Sequence, residues 1–520
     1  MSGVAGSGRL LYEGADWEFG TIQRAYDAVE RIALDELGLD VYANQIEIVS
    51  SEQMLDAYSS IGMPLFYKHW SFGKHFARHD AFYRAGMQGL AYEMVINSNP
   101  CISYNMEENT ATMQTLVIAH AAFGHNHFFK NNYLFRQWTD ADGILDYLEF
   151  AKDYIAKCEE RYGEAEVERL IDAAHALWNQ GVHKYPRRRA ADLRSEERRE
   201  RDRREHEQRI YNDLWRTLPH KEQAKPDTSA EERRRALLQL PQENILYFLE
   251  KTAPRLQPWQ REILRIVRQV AQYFYPQFQT KLMNEGCATY THYRIMNRLY
   301  EQGSLSDGAL MEFLHSHTNV VFQPDFDDRR YNGINPYALG FAMMEDIARI
   351  ASEPTAEDQE WFPDIAGTGD PMEVLRHVWA NYRDESFILQ YLSPRLIRHF
   401  KLFGVLDDAN EPNLRVQAIH DERGYRRIRQ ALARQYDIAW QAPDIQVVDV
   451  NLAGDRRLVL HHRALNRVLL EENDVRHVLQ HLADLWSYDV LMKEIDPASG
   501  SVLKEHAASP RPGIVKPDTI

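Results

Sequence analysis

The amino-acid sequence predicts a mainly α protein: a large helical core, a charged insertion arm and a small C-terminal α+β domain. Three observations predict it. Apolar residues recur at helical spacing over most of the 520 residues, one Arg/Glu-rich stretch is nearly free of apolar side chains, and β-branched runs are few before roughly residue 407. With 44% hydrophobic residues the chain can bury a sizeable core, and its length exceeds one simple domain. The expected organisation is a first half of the helical core at 10–185, an arm or linker at 186–235, a second half at 236–405, the α+β domain at 406–495 and a flexible tail at 496–520.

In order along the chain, residues 16–37 carry Ile22, Ala25, Tyr26, Val29, Ile32 and Ala33 at helical spacing, and Gly38 is the expected stop. Gln45-Ile46-Glu47-Ile48-Val49 predicts a strand, and residues 54–58 a short helix. Ile61-Gly62-Met63-Pro64 predicts a turn leading into an aromatic block at 65–76. Helical spacing resumes at 112–122, 144–155, 164–178, 259–273, 277–299, 336–350 and 393–400. Between 186 and 235 acids and arginines alternate with few apolar residues, which predicts a solvated helical arm or a disordered linker. Residues 425–436 and 471–486 read as helices. Ile445-Gln446-Val447-Val448-Asp449-Val450-Asn451 and Arg457-Leu458-Val459-Leu460-His461-His462 read as strands joined by the Ala453-Gly454-Asp455 turn.

Charge narrows the function. Lys plus Arg number 61 against 77 Asp plus Glu, a formal net charge of -16 that disfavours phosphate backbones and anionic membranes. Cys101, Cys158 and Cys287 form no C-x-x-C pair, so neither a disulfide framework nor a thiolate zinc knuckle is expected. No apolar run is long enough to span a bilayer and the N-terminus has no signal-peptide pattern; a soluble cytoplasmic protein is the expectation.

Two segments carry the chemistry: Val117-Ile118-Ala119-His120-Ala121-Ala122-Phe123-Gly124-His125-Asn126-His127 and Met283-Asn284-Glu285-Gly286-Cys287-Ala288-Thr289-Tyr290-Thr291-His292. Imidazole nitrogen and carboxylate oxygen are the usual donors to a zinc- or iron-type ion. Residues seven apart on an α-helix lie within ~20° of each other. A regular helix therefore pairs His120 with His127 and Glu285 with His292, whereas a break at Gly124 pairs His120 with His125. A buried histidine is more often hydrogen-bonded than metal-bound, but three within eight positions, with Glu285 and His292 at matching spacing, favour a site.

Asn284-Glu285-Gly286-x-Ala288-x-Tyr290 resembles the helix that supplies the glutamate ligand of gluzincin metallopeptidases, and Val117-Ile118-Ala119-His120 resembles the start of their H-E-x-x-H helix. Here alanine follows His120 and the next histidine is five positions on, so the general base must come from elsewhere. Glu93 is the candidate, ahead of Glu107 and Glu108. His292 would assist as ligand or proton carrier. The ion is a divalent metal, zinc first, with iron or manganese as alternatives.

Weaker candidates remain. Asp172 and His175 have the carboxylate-x-x-His spacing of di-iron bundles, and with Glu93 and Glu285 would give a dinuclear site. His69 and His75 are candidate outer donors. His315-Ser316-His317-Thr318-Asn319 and the polar residues 324–336 predict a substrate-facing loop. There is no phosphate-binding glycine loop and no G-x-S-x-G elbow, and no nucleic-acid partner is expected.

His69-Trp70-Ser71-Phe72-Gly73-Lys74, Tyr92-Glu93-Met94-Val95-Ile96-Asn97-Ser98-Asn99-Pro100, the segments 117–132 and 283–292, and Asn332-Gly333-Ile334-Asn335-Pro336-Tyr337 together resemble the stage V sporulation protein R (SpoVR) family, from about residue 10 to about 497. The resemblance implies a cytoplasmic bacterial protein linked to spore cortex formation or, in bacteria that make no spores, to stationary-phase stress and cell-wall physiology. It also implies a PrkA-like serine kinase and a YhbH-like protein as partners. Two functions follow as expectations: a metal-dependent hydrolase of the amidase or peptidase kind, or a non-catalytic regulatory scaffold acting with that kinase.

Overall fold

Wherever apolar residues return every three or four positions the chain is helical, and the computed structural model describes residues 10–59, 67–70, 93–184, 238, 240–326, 328–406, 415–418, 420–451 and 454–511. The expected arm at 186–235, His75, most of the aromatic block and the residues past 511 lie outside these. The described elements, in chain order, are α1 (Phe19–Arg31), β1 (Asn44–Val49), α2 (Ser51–Ser59), β2 (Glu93–Ile96), β3 (Cys101–Met106), α3 (Ala111–Val117), α4 (Asn126–Asn131), α5 (Tyr133–Trp138), α6 (Ile144–Tyr162), α7 (Glu164–Ala176), α8 (Ile245–Thr252), α9 (Pro258–Gln279), α10 (Lys281–Glu301), α11 (Asp307–Val320), α12 (Pro336–Ser352), α13 (Ala356–Trp361), α14 (Pro371–Asn381), α15 (Asp384–Tyr391), α16 (Pro394–His399), β4 (Gly404–Leu406), β5 (Arg415–Ala418), α17 (Glu422–Tyr436), α18 (Ile438–Gln441), β6 (Ile445–Val450), β7 (Leu458–Arg463), α19 (Glu472–Trp486), β8 (Val490–Ile495) and β9 (Val502–Ala508). The protein is mainly α, with a small α+β region at its C-terminal end.

By contacts the chain forms two units, residues 1–160 with 273–441 and residues 161–272 with 442–520. Helix α10 is the centre of the first unit: it packs against the α3–α4 run on one side and α12 on another. The α10–α12 contact is backbone on backbone. A Cβ on Gly286 would stand 2.7 Å from the carbonyl carbon of Gly340, and one on Gly340 would run into the carbonyl oxygen of Leu282. Around this crossing Phe123, Phe128, Phe313, Trp379 and Phe387 are fully buried.

The stretch expected as one helix from 277 to 299 is two. Thr280, at φ -134, ends the run, and α10 starts afresh with no cap from its own N-terminal side chain. Its first amides are met from a distance: the buried Asp384 carboxylate accepts from Leu282 N–H and Met283 N–H, both at 2.9 Å. A carboxylate at a helix N-terminus also complements the helix dipole. Burial outweighs these bonds and pushes the Asp384 carboxyl up to about 7.

A second difference is the sheet of β1, β3 and β2, of which only β1 was expected. β1 runs parallel to β3, with Asn44 opposite Cys101, and β2 runs antiparallel to it, with Glu93 opposite Asn105. β3 does not alternate because it is buried on both faces, and its polar side chains bond inward: Ser103 Oγ–H to Asn105 Oδ1 at 2.9 Å, and Asn105 Nδ2–H to Gln114 Oε1 at 3.2 Å. Period two is lost when both faces are covered.

The second unit holds a four-stranded sheet in the order β6-β7-β8-β9, with α19 packed on β8 and β9. The β6–β7 pair is antiparallel, as expected. β9 overturns the expected loose tail: residues 502–508 pair antiparallel with β8, Ala508 opposite Val490. Its side chains are exposed or half-buried, so the ladder holds it without an apolar run to announce it.

Under this sheet the Glu494 carboxylate is fully buried and accepts from His462 Nδ1 at 2.9 Å, His506 Nε2 at 2.8 Å and Leu470 N–H at 2.9 Å. Burial raises its pKa, but these three donors outweigh it and hold the carboxyl below its ordinary 4.5. A depressed carboxyl stabilises the fold above its unfolded value, and that contribution is lost as pH falls through the folded one. Glu494→Gln is therefore expected to cost about 2–3 kcal/mol at neutral pH. The deficit should shrink in urea titrations repeated below pH 4.5; a deficit constant with pH would contradict this account.

Candidate metal centre

A change of helix type builds the site. The helix that begins at α3, with Thr110 Oγ1 accepting from Met113 N–H, widens to a π-helix over Ile118–His125 and returns to α in α4. The Asn126 amide reaches back five residues to Ala121 O. Each π turn takes about one residue more than an α turn, so residues five apart come onto one face. His120 and His125 thereby stand side by side, ring centroids 4.6 Å apart and planes at 89°.

Opposite them is α10. Gly124 lies against it so closely that a Cβ there would be 2.5 Å from the Ala288 Cα. That approach carries Glu285 to the two histidines: its Oε2 is 3.7 Å from His125 Nε2 and 3.9 Å from His120 Nε2. Donor atoms of the three residues all lie within 4.8 Å of one another, and Glu285 Oε2 is buried with no hydrogen-bond partner. Glu93, at the start of β2, adds a second carboxylate, its Oε1 3.7 Å from His120 Nε2.

The far nitrogens of both rings are occupied. His125 Nδ1–H donates to Asn284 Oδ1 at 2.9 Å. His120 Nδ1 bonds His292 Nδ1 at 2.9 Å, and His292 Nε2 bonds His317 Nδ1 at 3.0 Å. With protons on His120 Nδ1 and His292 Nε2, each link has one donor and one acceptor, and the Nε2 lone pairs of His120 and His125 both face Glu285.

Burial, reinforced by the neighbouring imidazoles, holds His120 and His292 well below the ordinary histidine range; burial alone takes His317 down to about 4. Neutral imidazole is the ligand form. Burial, then the charge of Glu285, pushes Glu93 up to about 8.

Of the expected ligands, His120, His125 and Glu285 come together and His127 does not. His127 is turned to the Asp40 backbone, Nδ1 3.0 Å from Asp40 N, with its ring 5.5 Å from Trp379. The seven-residue spacing assumed α geometry throughout, and the π turn rotates His127 off the shared face. His292 sits behind His120, not beside Glu285.

Glu107 and Glu108 are exposed, the latter bonded to Ser51. Asp172 and His175 lie on α7 in the second unit. His69 is buried with its ring 5.4 Å from Trp70. The loop expected at 315–319 is the last turns of α11: His315 is exposed there, and His317 ends the imidazole line. Asn284 and His317 were missed as site residues. The adjacency of Asn284 to Glu285 was a usable signal, and His317 stood in the His315–Asn319 segment read as substrate-facing, where nothing tied it to His292.

A family model described as SpoVR like protein matches residues 16–441, and one described as SpoVR-like C-terminal domain matches residues 443–497. The break between them falls where the first contact unit ends. The chain is 53% identical over 503 residues, 97% of each chain, to "Uncharacterized protein YcgB" of Escherichia coli (strain K12). No solved structure matches.

If the Gly124 approach sets the donor spacing, Gly124→Ala must part the π-helix from α10. The expected cost is about 1–3 kcal/mol by overpacking, read from a denaturant midpoint. An unchanged midpoint would show that the contact is not tight.

Proposed function

This chain belongs to the SpoVR family, and on that premise we propose that it is a metal-dependent hydrolase of amide or peptide bonds, with His120, His125 and Glu285 binding one divalent ion. The observation that carries the reading is the buried, unpartnered Glu285 Oε2 facing two imidazole Nε2 atoms whose other nitrogens are already bonded. A buried carboxylate oxygen left without a partner is costly, and a cation among these three donors would remove the cost. Two imidazoles and one carboxylate are the donor set of catalytic zinc in hydrolases, so zinc is the first choice.

Such an ion, when bound, supplies Lewis acidity and a readily deprotonated water. The chain's own residues account for the rest. Glu93, coming from β2 instead of the histidine helix, stands near where the glutamate missing after His120 would be. Burial and the Glu285 charge hold it protonated; with that charge offset by a bound cation, it ionises and accepts the proton of the attacking water. Asn284 and His292 hold the two ligand rings in the tautomer that leaves Nε2 free, and His317 in turn holds His292. Proposed substrates are peptides, cell-wall precursors or a regulatory protein.

Elemental analysis of the purified protein tests the metal. About one equivalent is expected in the wild type, none in His120→Ala or Glu285→Ala, and an undiminished amount in His127→Gln. Equal metal in all four proteins would sink the assignment. Glu93→Gln should keep the metal yet lose about 10²–10⁴-fold in turnover of a peptide or amide library. Wild-type metal without any turnover would leave the ion a structural or regulatory role.

A further inference from the structure

We propose that the first unit carries a second site, a cleft for a small zwitterion with an apolar side chain: a free amino acid or a short peptide. The cleft, about 670 Å³, is formed by the end of α11, the face of α12 and the α16 helix, within the range of small-molecule sites. One wall is apolar, with Phe322, Phe341, Leu396 and Phe400. Phe322 is 46% exposed, its ring carrying the Arg330 guanidinium at 4.9 Å.

The polar end of the cleft is built. Asp346 is 5% exposed and lines it. Its Oδ1 accepts from Arg349 at 3.0 Å, while its Oδ2 is buried with no hydrogen-bond partner. Arg349 is shared between two carboxylates, paired with Asp346 Oδ1 at 2.9 Å and bidentate to Asp358 at 2.7 and 2.9 Å, so one guanidinium offsets two negative charges. Arg395, on the facing helix, lines the same cleft and stops 3.7 Å from Asp346 Oδ1, longer than a hydrogen bond.

In a free amino acid the ammonium and carboxylate are joined through a single carbon, and in a dipeptide they are only about one residue length, ~3.5 Å, further apart, so the groups that recognise them must be near neighbours of opposite sign. Asp346 and Arg395 meet that requirement: the ammonium donates to Asp346 Oδ2 and the carboxylate accepts from the Arg395 guanidinium. The apolar side chain then lies along Phe341 and Phe400. A simple anion leaves the Asp346 oxygen unmet, and a simple amine leaves Arg395 unused. The cleft is separate from the metal donors and does not depend on their chemistry. The two are neighbours across the α10–α12 contact, and His317 adds a ring contact, 4.7 Å from Phe341.

The test is calorimetric titration of the full chain with L-phenylalanine and with L-leucyl-L-phenylalanine, beside the N-acetylated and C-amidated dipeptides. Expected is a Kd at or below about 1 mM for at least one zwitterion, and which one binds identifies the source. Binding should weaken about tenfold or more on blocking either terminus and in Arg395→Gln, an exposed position where folding is undisturbed. Asp346→Asn should give the same loss, with circular dichroism as its folding control. Absence of binding by both zwitterions, or undiminished binding by the blocked peptides or by Arg395→Gln, overturns the proposal.

Discussion

The structure around the candidate centre depends on one close contact: two helix backbones meeting without side chains between them. Gly124 on the π-helix rests on Ala288 of α10, and Gly286 of α10 rests on Gly340 of α12. Glutamate and histidine side chains are short compared with ordinary helix–helix separations, where larger residues hold the axes apart. Small residues at both crossings draw three helices close enough for Glu285 to face His120 and His125. Burial at this contact also keeps His120 neutral and raises Glu93.

A second constraint is polar. Around the centre stand four imidazoles and two carboxylates that burial alone would disfavour, and the nitrogens of His120 and His125 turned away from Glu285 are bonded. Asn284 answers His125, and His292 with His317 answers His120. What sets the bare Glu285 Oε2 apart from other unpartnered buried atoms such as Thr289 Oγ1 and Thr291 Oγ1 is that it faces two imidazole Nε2 atoms. Asp346 Oδ2 is likewise unpartnered, at the cleft beside α12.

Legibility followed burial geometry. One-sided helices such as α1, α17 and α19 were readable because period 3.6 survives when one face stays wet. β2 and β3 were not, since a doubly buried strand loses its alternation, and β9 was not, since hydrogen bonds to β8 hold it. The site was read in its members but not in their grouping. Both possible partners of His120 were visible, and the choice of His125 over His127 rested on a helix type that single-residue propensities do not encode. The interleaving of the two units, 161–272 with 442–520, has no marker in composition.

By itself the sequence determined the helical class, the C-terminal α+β character, the family and the two segments that carry the histidines and Glu285, because periodicity and motif are local properties of a chain. Only the tertiary structure decided which histidine joins His120, that Glu93 arrives from a strand to stand beside it, and that His317 backs His292. Those outcomes depend on a helix type and on backbone approach between separate elements, from about 25 residues apart for His292 and His317 to 165 for His120 and Glu285, and these are set by packing, not by the nearest neighbours along the chain.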